Sequence, residues 1–388
     1  MNVNRAEQME IFKPNIFSEL SAYKKKKLAQ GETIIDLSIG SPDLPPPSFI
    51  RNELSNGAKR EDHYGYTLCG TNAFHKAVAH YYQRRNQVRI DADKEVLLLM
   101  GSQDGLVHLP MVFANPGDII LLPDPGYPAY DTGVQMAGAK PFYLPLLAEN
   151  NFLPDLSLIP TAIAKKAKMM FLNFPGNPIP SMATEKFFHD VVSFAKKHHI
   201  IVVHDFAYSE LYFNHKKPIS FLSIPGAKEV GVEINSLSKS FHLAGARIGY
   251  MLGNEYIIEH FRQFKSNLDY GVFLPIQQAA ITALTKGDAF CEQNREVYQK
   301  RRDLLVDGLR EVGWEVERPD AGMFIWGKIP PGWKSTTFAY ELIEKANVVV
   351  TPGSAFGPSG EGYVRMALVV DEKEIQQLIA NLHTSSIF

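Results

Sequence analysis

Seven short apolar runs recur between Glu95 and Leu252, at 95–100 (EVLLLM), 118–123 (DIILLP), 140–145 (KPFYLP), 168–174 (KMMFLNF), 199–205 (HIIVVHD), 231–237 (GVEINSL) and 247–252 (RIGYML). Segments with helix-like patterning separate them. Strand-length runs that are apolar almost throughout, rather than alternating, belong to strands covered on both faces. The rhythm therefore predicts an α/β fold, a mostly parallel seven-stranded sheet flanked by helices.

After about Gln277 the pattern changes to one long charged helix, CEQNREVYQKRRDLLVDGLREVG, followed by strand candidates WEVERP, MFIWGKIP, NVVVTPG and YVRMALV. This predicts a smaller α+β domain. No Gly/Ser linker separates the two parts, so the expected division is 48–280 for the large domain. Residues 1–47, an N-terminal arm, then join 281–388 in the small domain. At 388 residues the chain is long enough for both cores.

Charge excludes some partners. Lys+Arg total 40 against 42 Asp+Glu, a formal net charge of -2, so no overall field draws in nucleic acid or an anionic membrane. The one charge block, Lys24–Lys27, reads as a solvated helix end before Gly31. The two cysteines, Cys69 and Cys291, lie far apart and outside any metal-ligand spacing. They favour a reducing compartment. The N-terminus carries no signal-like apolar core, and no run approaches the roughly 18 apolar residues of a membrane span. A cytoplasmic protein acting on small molecules is expected, with no metal.

In open parallel sheets, ligands sit beyond the carboxyl ends of the strands, so the residues after each run bear inspection. HIIVVHD ends in Asp205, with Tyr208 three residues on. A carboxylate there can hold a proton on a heterocyclic nitrogen, or simply cap the next helix. GVEINSLSKSFHLAGARIGY brings Ser236, Ser238, Lys239 and Arg247 together. Two hydroxyls and a guanidinium suit a phosphate monoester, and a desolvated lysine among cations becomes a nucleophilic amine; an isolated lysine would be a solvated one. In MGSQDGL, Gly101 permits a tight turn, and Ser102 and Gln103 open a helix whose free N–H groups can seat a phosphate, unless Ser102 is only an N-cap. Tyr127, between Gly126 and Pro128, can stack on a planar ring or fill a turn. Asn177, in PGNPIP, offers an amide to a ring oxygen or to its own turn.

In this order the segments resemble the class I and II aminotransferases, of the fold type I pyridoxal-phosphate family, over nearly the whole chain. The resemblance implies pyridoxal 5′-phosphate as cofactor, held by the large domain. It implies that Lys239 carries the cofactor as a Schiff base, that Ser236, Ser238 and Arg247 surround its phosphate, and that Ser102 and Gln103 complete the cup. Tyr127 would stack on the pyridine, Asp205 would pair with its nitrogen, and Asn177 and Tyr208 would reach its phenolic oxygen. Further matches lie in LSIGSPDLPPP at 37–47, YGYTLCG at 64–70 and PGSAFG…GEGYVRMAL at 352–368. Arg365 resembles the family's arginine for the substrate α-carboxylate, and Gly40 the backbone that closes over the substrate. Tyr66, with Tyr64 as its neighbour, resembles a phosphate-binding tyrosine donated by a second subunit, which implies a homodimer. The chain departs from the family at Gly176, Ile179 and Pro180, where many relatives read Asn-Asn-Pro-Thr-Gly across 176–180, and at Ala246, where tryptophan is common.

The implied activity is transfer of an amino group from an L-amino acid to a 2-oxo acid by a ping-pong mechanism. A C–S β-lyase is the alternative, since YGYT resembles lyase-like relatives, and a non-catalytic cofactor-binding regulator is a third reading. The absence of GxGxxG after a strand and of a phosphate-loop GK[ST] argues against a nucleotide enzyme.

Overall fold

All seven runs become strands in the computed structural model, which describes residues 3–12 and 16–388. Residues 1–2 and 13–15 of the expected N-terminal arm lie outside the described residues. In chain order the strands are β1 (Ile35–Asp36), β2 (Val96–Leu99), β3 (Ile119–Asp124), β4 (Lys140–Pro145), β5 (Ala167–Asn173) and β6 (Ile201–Asp205). There follow β7 (Gly231–Ser236), β8 (Gly249–Gly253), β9 (Phe324–Lys328), β10 (Val348–Val349), β11 (Thr351–Pro352) and β12 (Tyr363–Ala367). The central sheet has seven strands in the order β2-β8-β7-β6-β5-β3-β4. Only β8 runs antiparallel to its neighbours.

The physical reason is burial on both faces. Val96, Leu97, Leu98 and Leu99 are wholly buried, with Val96 and Leu98 in one apolar cluster and Leu97 and Leu99 in another on the opposite face. Each such side chain contributes about 1.5–3 kcal/mol by leaving water. Helices of the large layer are fixed at their starts by side-chain caps: Thr71 accepts from the Phe74 N–H and Thr184 from that of Phe187.

A second core assembles from the chain after residue 297 and from Ile35 and Leu37. Its sheets are β1 paired in parallel with β10, and an antiparallel β11-β12-β9. The helix Asp288–Glu311 passes between the cores, with Cys291 packed in the first and Tyr298 in the second. Ala207 and Tyr208, just past β6, also pack into the second core, so the carboxyl edge of the central sheet faces the seam.

Two expectations are corrected. WEVERP alternates like a strand, with Trp314 and Val316 buried, yet it joins no ladder. The Val316 carbonyl is taken by the Arg310 guanidinium, and the Trp314 indole donates to the Lys328 carbonyl, so side chains rather than a strand hold the segment. The Lys24–Lys27 block is only partly solvated. Lys24 pairs with Asp36 at 2.6 Å, and Lys27 reaches Glu32 and Glu344, fastening the helix Ile16–Ala29 to the second core. Among the described residues, no helix is long and apolar enough to cross a membrane.

Candidate active site

The seam contains a cleft of about 500 Å³ at the carboxyl edge of the central sheet. Ser102, Gln103, Tyr127, Asn177, Asp205, Tyr208, Ser236, Ser238, Lys239, Arg247, Gly40 and Arg365 all line it. Each large-sheet residue stands where its strand ends. Ser102 and Gln103 follow β2, Tyr127 follows β3, Asn177 follows β5, Asp205 closes β6, and Ser236 closes β7. Arg247 precedes the antiparallel β8, which starts at that same edge.

Ser102 does not cap its helix. Gly101 occupies the N-cap of Ser102–Phe113 at φ 81°, and no side chain closes that end. A Cβ at Gly101 would sit 2.5 Å from Arg247 Nη2, so the glycine leaves room for the guanidinium. Arg247 Nη1 donates to the Ala244 carbonyl at 3.0 Å, and no carboxylate pairs with Arg247 among the described residues. Ser236 Oγ donates to Ser238 Oγ at 2.9 Å and accepts from the Ser238 N–H. Hydroxyls, an uncommitted cation and a helix N-terminus thus converge, a donor set suited to a phosphate dianion.

Asp205 is buried, and both readings of it hold in part. Oδ1 accepts from the Ala207 N–H at 3.3 Å, capping a turn, while Oδ2 accepts from the Tyr130 hydroxyl at 2.8 Å. Burial pushes the carboxyl above the ordinary range, opposed by the Tyr130 hydrogen bond. Tyr127 donates to Gln103 Oε1 at 3.2 Å, and its ring lies edge-on to Tyr130 at 5.7 Å. Tyr208 packs edge-on to Phe324 at 5.6 Å, and burial raises its phenol.

Lys239 donates to the Gly40 carbonyl at 2.6 Å. Burial, with Arg365 and Arg247 adding repulsion, lowers it from 10.5 to about 8. Arg365 is buried between Phe324 and Phe356, its guanidinium carbon 4.5 and 4.8 Å from their ring centres. Nη1 donates to Asn177 Oδ1 at 2.7 Å, Nη2 donates to the Ser38 carbonyl, and Nε has no partner. Burial lowers this arginine to about 10. Asn177 is itself positioned by the Asn173 side chain, which accepts from its N–H at 2.8 Å.

Tyr66 lies apart from the cleft. It is 83% exposed, its ring 4.9 Å from that of Tyr270. Tyr64 is exposed too, with its hydroxyl donating to the Ala58 carbonyl. The residues that sequence reasoning missed are Tyr130, Asn173 and Ser38. Tyr130 lies in the first turn of the helix Pro128–Met136, of which Tyr127 is the extended N-cap residue, and the two rings meet edge-on. Asn173 was signalled by its polarity inside an otherwise apolar run, whereas nothing in the sequence marked the Ser38 carbonyl.

Comparison with known proteins adds to this geometry. The family model "Aminotransferase class I and II" matches residues 32–382. A Halothermothrix orenii protein named LL-diaminopimelate aminotransferase is 43% identical over 386 residues, 99% of each chain. A protein of the same name from Dehalococcoides mccartyi is 44% identical over 378 residues, 97% of each. Among solved structures, substrate-bound BacF from Bacillus subtilis has a TM-score of 0.96 at 36% identity, covering 100% of this chain and 99% of that one. A probable N-succinyldiaminopimelate aminotransferase from Thermus thermophilus has a TM-score of 0.91 at 33% identity, covering 95% and 100%.

Proposed function

Since the chain belongs to the class I and II aminotransferases, pyridoxal-phosphate enzymes that move an amino group from an amino acid to a 2-oxo acid, we propose that Lys239 is its cofactor-binding and proton-carrying lysine and LL-diaminopimelate its amino donor. The observation that carries the lysine's assignment is its place in one cleft with Asp205, Arg247 and Arg365, where burial and the two cations lower it to about 8.

Pyridoxal phosphate, when bound, supplies the electron sink for a carbanion at the substrate Cα. Ser102, Gln103, Ser236, Ser238 and Arg247 would hold its phosphate, Tyr127 its ring face, Asp205 the proton on its ring nitrogen, and Asn177 and Tyr208 its phenolic oxygen. Arg365 binds the α-carboxylate bidentately. Asn177 holds one end of that guanidinium, and Gly40 closes over the substrate. Lys239 Nζ would take the Cα proton and carry it across the amino nitrogen, a 1,3-shift, which needs an amine neutral near physiological pH. Two half-reactions on one site give ping-pong kinetics.

The donor class rests on the names of the relatives. LL-diaminopimelate carries an amino-acid head at each end, and among the described residues the only other guanidinium lining the cleft is Arg247, assigned to phosphate. The distal head is therefore met by neutral donors or by a second subunit. A homodimer is supported by an exposed apolar patch formed by Tyr64, Tyr66, Leu68, Leu268, Tyr270 and Phe273. Within it, the Tyr66 hydroxyl has no hydrogen-bond partner among the described residues, whereas that of Tyr64 donates to the Ala58 carbonyl, so Tyr66 is the better candidate to reach the phosphate of the other subunit. The division 48–280 and 1–47 plus 281–388 is proposed, with its handover inside the helix Leu274–Lys286, one helix ahead of Asp288–Glu311. The two free cysteines support a cytoplasmic location. The β-lyase alternative draws no support from relatives that carry aminotransferase names.

The test is to mix the cofactor-loaded protein with single amino acids, without an acceptor. Stoichiometric release of the 2-oxo acid matching LL-diaminopimelate supports the reading. Ammonia and pyruvate released from cystathionine would establish lyase chemistry instead, and no reaction with LL-diaminopimelate while another donor reacts would move the substrate assignment to that donor.

A further inference from the structure

We infer that Asp124 is a positioning residue for the substrate carboxylate: across the seam it fixes the loop that lays Phe356 against Arg365. Asp124 closes β3 in the large sheet, three residues before Tyr127. The loop 353–360 belongs to the second core and joins β11 to β12, the strand of Arg365. The inference rests on the proposed role of Arg365 and adds to it a residue that does not line the cleft.

The Asp124 carboxylate is committed to that loop. Oδ2 accepts from the Ser359 hydroxyl at 2.7 Å, and both oxygens accept from the Ser359 N–H at 3.2 Å. Asp124 is only 6% exposed, and no cation pairs with it among the described residues. A buried carboxylate without a counter-charge is costly, so these hydrogen bonds are what hold it. The loop's backbone is shaped to receive it. Gly357 sits at φ 134°, and a Cβ there would collide with Asp124 Oδ1, so only glycine lets the carboxylate come so close. A backbone bond runs alongside, from the Gly126 N–H to the Phe356 carbonyl at 2.9 Å. On its own side the β3 end is kept in place by the Leu146 N–H, which donates to the Asp124 carbonyl at 2.8 Å. The sheet therefore holds the loop, and not the reverse.

What the loop delivers is one wall of the carboxylate clamp. Phe356 packs with Leu146, Ile179 and Trp326 at the seam. Its ring centre lies 4.8 Å from the Arg365 guanidinium carbon, with that of Phe324 at 4.5 Å. Aromatic rings against a guanidinium keep its fork in one orientation, and bidentate binding of a carboxylate depends on that orientation. Releasing Ser359 frees the loop, Phe356 leaves the guanidinium, and the carboxylate meets a fork that is no longer preset. Asp205 and Lys239 belong to β6 and to the helix after β7, and keep their places. The loss therefore falls on donor binding, hence on KM, and leaves kcat in place.

Asp124→Ala and Ser359→Ala test this in the cofactor-loaded protein, with whichever amino acid proves to be the donor. Each is expected to raise the donor KM about tenfold while kcat stays within about twofold. The dissociation constant of 2-methylalanine, which has no Cα proton to lose, is read from the cofactor absorbance and should rise by a similar factor. Ser359→Thr keeps the hydroxyl and should restore both values. In an Arg365→Lys background, Ser359→Ala should add less than about twofold, because no fork remains to be oriented. If Asp124→Ala does not fold, Ser359→Ala carries the test, since it keeps the backbone N–H and removes one hydroxyl. Unchanged KM and unchanged 2-methylalanine affinity in Ser359→Ala would overturn the inference. A fall in kcat alone, or full additivity with Arg365→Lys, would overturn it as well, since the loop would then act elsewhere. An unmoved KM in Arg365→Lys itself would strike Arg365 from the proposed function and take this inference with it, a pattern distinct from the others.

Discussion

Asp205 divides its two oxygens between a turn N–H and the Tyr130 phenol, so part of its ability to stay ionised in a buried place is borrowed from one tyrosine. Burial raises its pKa and the Tyr130 hydrogen bond lowers it. Removing that donor raises it further, and the working form is the carboxylate. Tyr130→Phe is therefore expected to shift the acid limb of kcat/KM to higher pH, with roughly a ten- to hundredfold loss near neutrality, the size of one hydrogen bond to a charged group. A pH–rate profile that superposes on the wild type would remove Tyr130 from this role. Lys239 is displaced in the opposite direction. An amine at about 8 is half neutral at that pH, whereas an ordinary lysine there is about 1% neutral or less. Capture of pyridoxal phosphate by the cofactor-free protein should accelerate as pH rises through about 8 and level off near 9; a rate still climbing tenfold per unit at pH 9.5 would mean an unshifted lysine. Lys239 and Asp205 were legible from their motif, while Tyr130 was not, because a hydrogen bond from a helix to a strand end 75 residues away leaves no local trace.

At the scale of elements, the turn before the helix Ser102–Phe113 is where backbone and guanidinium compete for space. Gly101→Ala adds a Cβ 2.5 Å from Arg247 Nη2 at a φ of 81°. It is expected to lower stability by about 1–3 kcal/mol and to weaken cofactor binding about tenfold or more, read by thermal melting and by cofactor titration. A variant that melts lower yet binds cofactor normally would separate the turn from the phosphate. The seven strands were readable because runs buried on both faces carry their own signature. WEVERP was misread because alternation marks a half-buried extended chain, whereas a strand also needs a neighbour with free backbone groups. The N-cap reading of Ser102, the alternative to a phosphate seat, does not hold because Gly101 takes the cap position and Ser102 is the first helical residue.

For the molecule as a whole, the exposed Tyr66 and the buried Lys239 make separable contributions if subunits share sites. Lys239→Ala and Tyr66→Ala chains, each nearly inactive alone, are expected to regain about a quarter of wild-type activity when refolded together in equal amounts. Half of randomly assorted dimers are hybrids, and each hybrid keeps one intact site. No recovery, with mixed dimers demonstrated by mass, would confine each site to one chain.

Two peptide oxygens, those of Ser38 and Gly40, hold the Arg365 guanidinium and the Lys239 amine. They belong to one short stretch that β1 anchors to β10 through Ile35 and Val348. The protein thus carries its own weak competitor, an intramolecular one at a concentration that never changes. Any ligand that claims either cation must first evict a piece of main chain, so apparent affinity becomes a heritable variable of tether stiffness. Substitutions around β1 and β10 could then retune the enzyme for scarce or abundant substrate without altering a single group that the substrate touches.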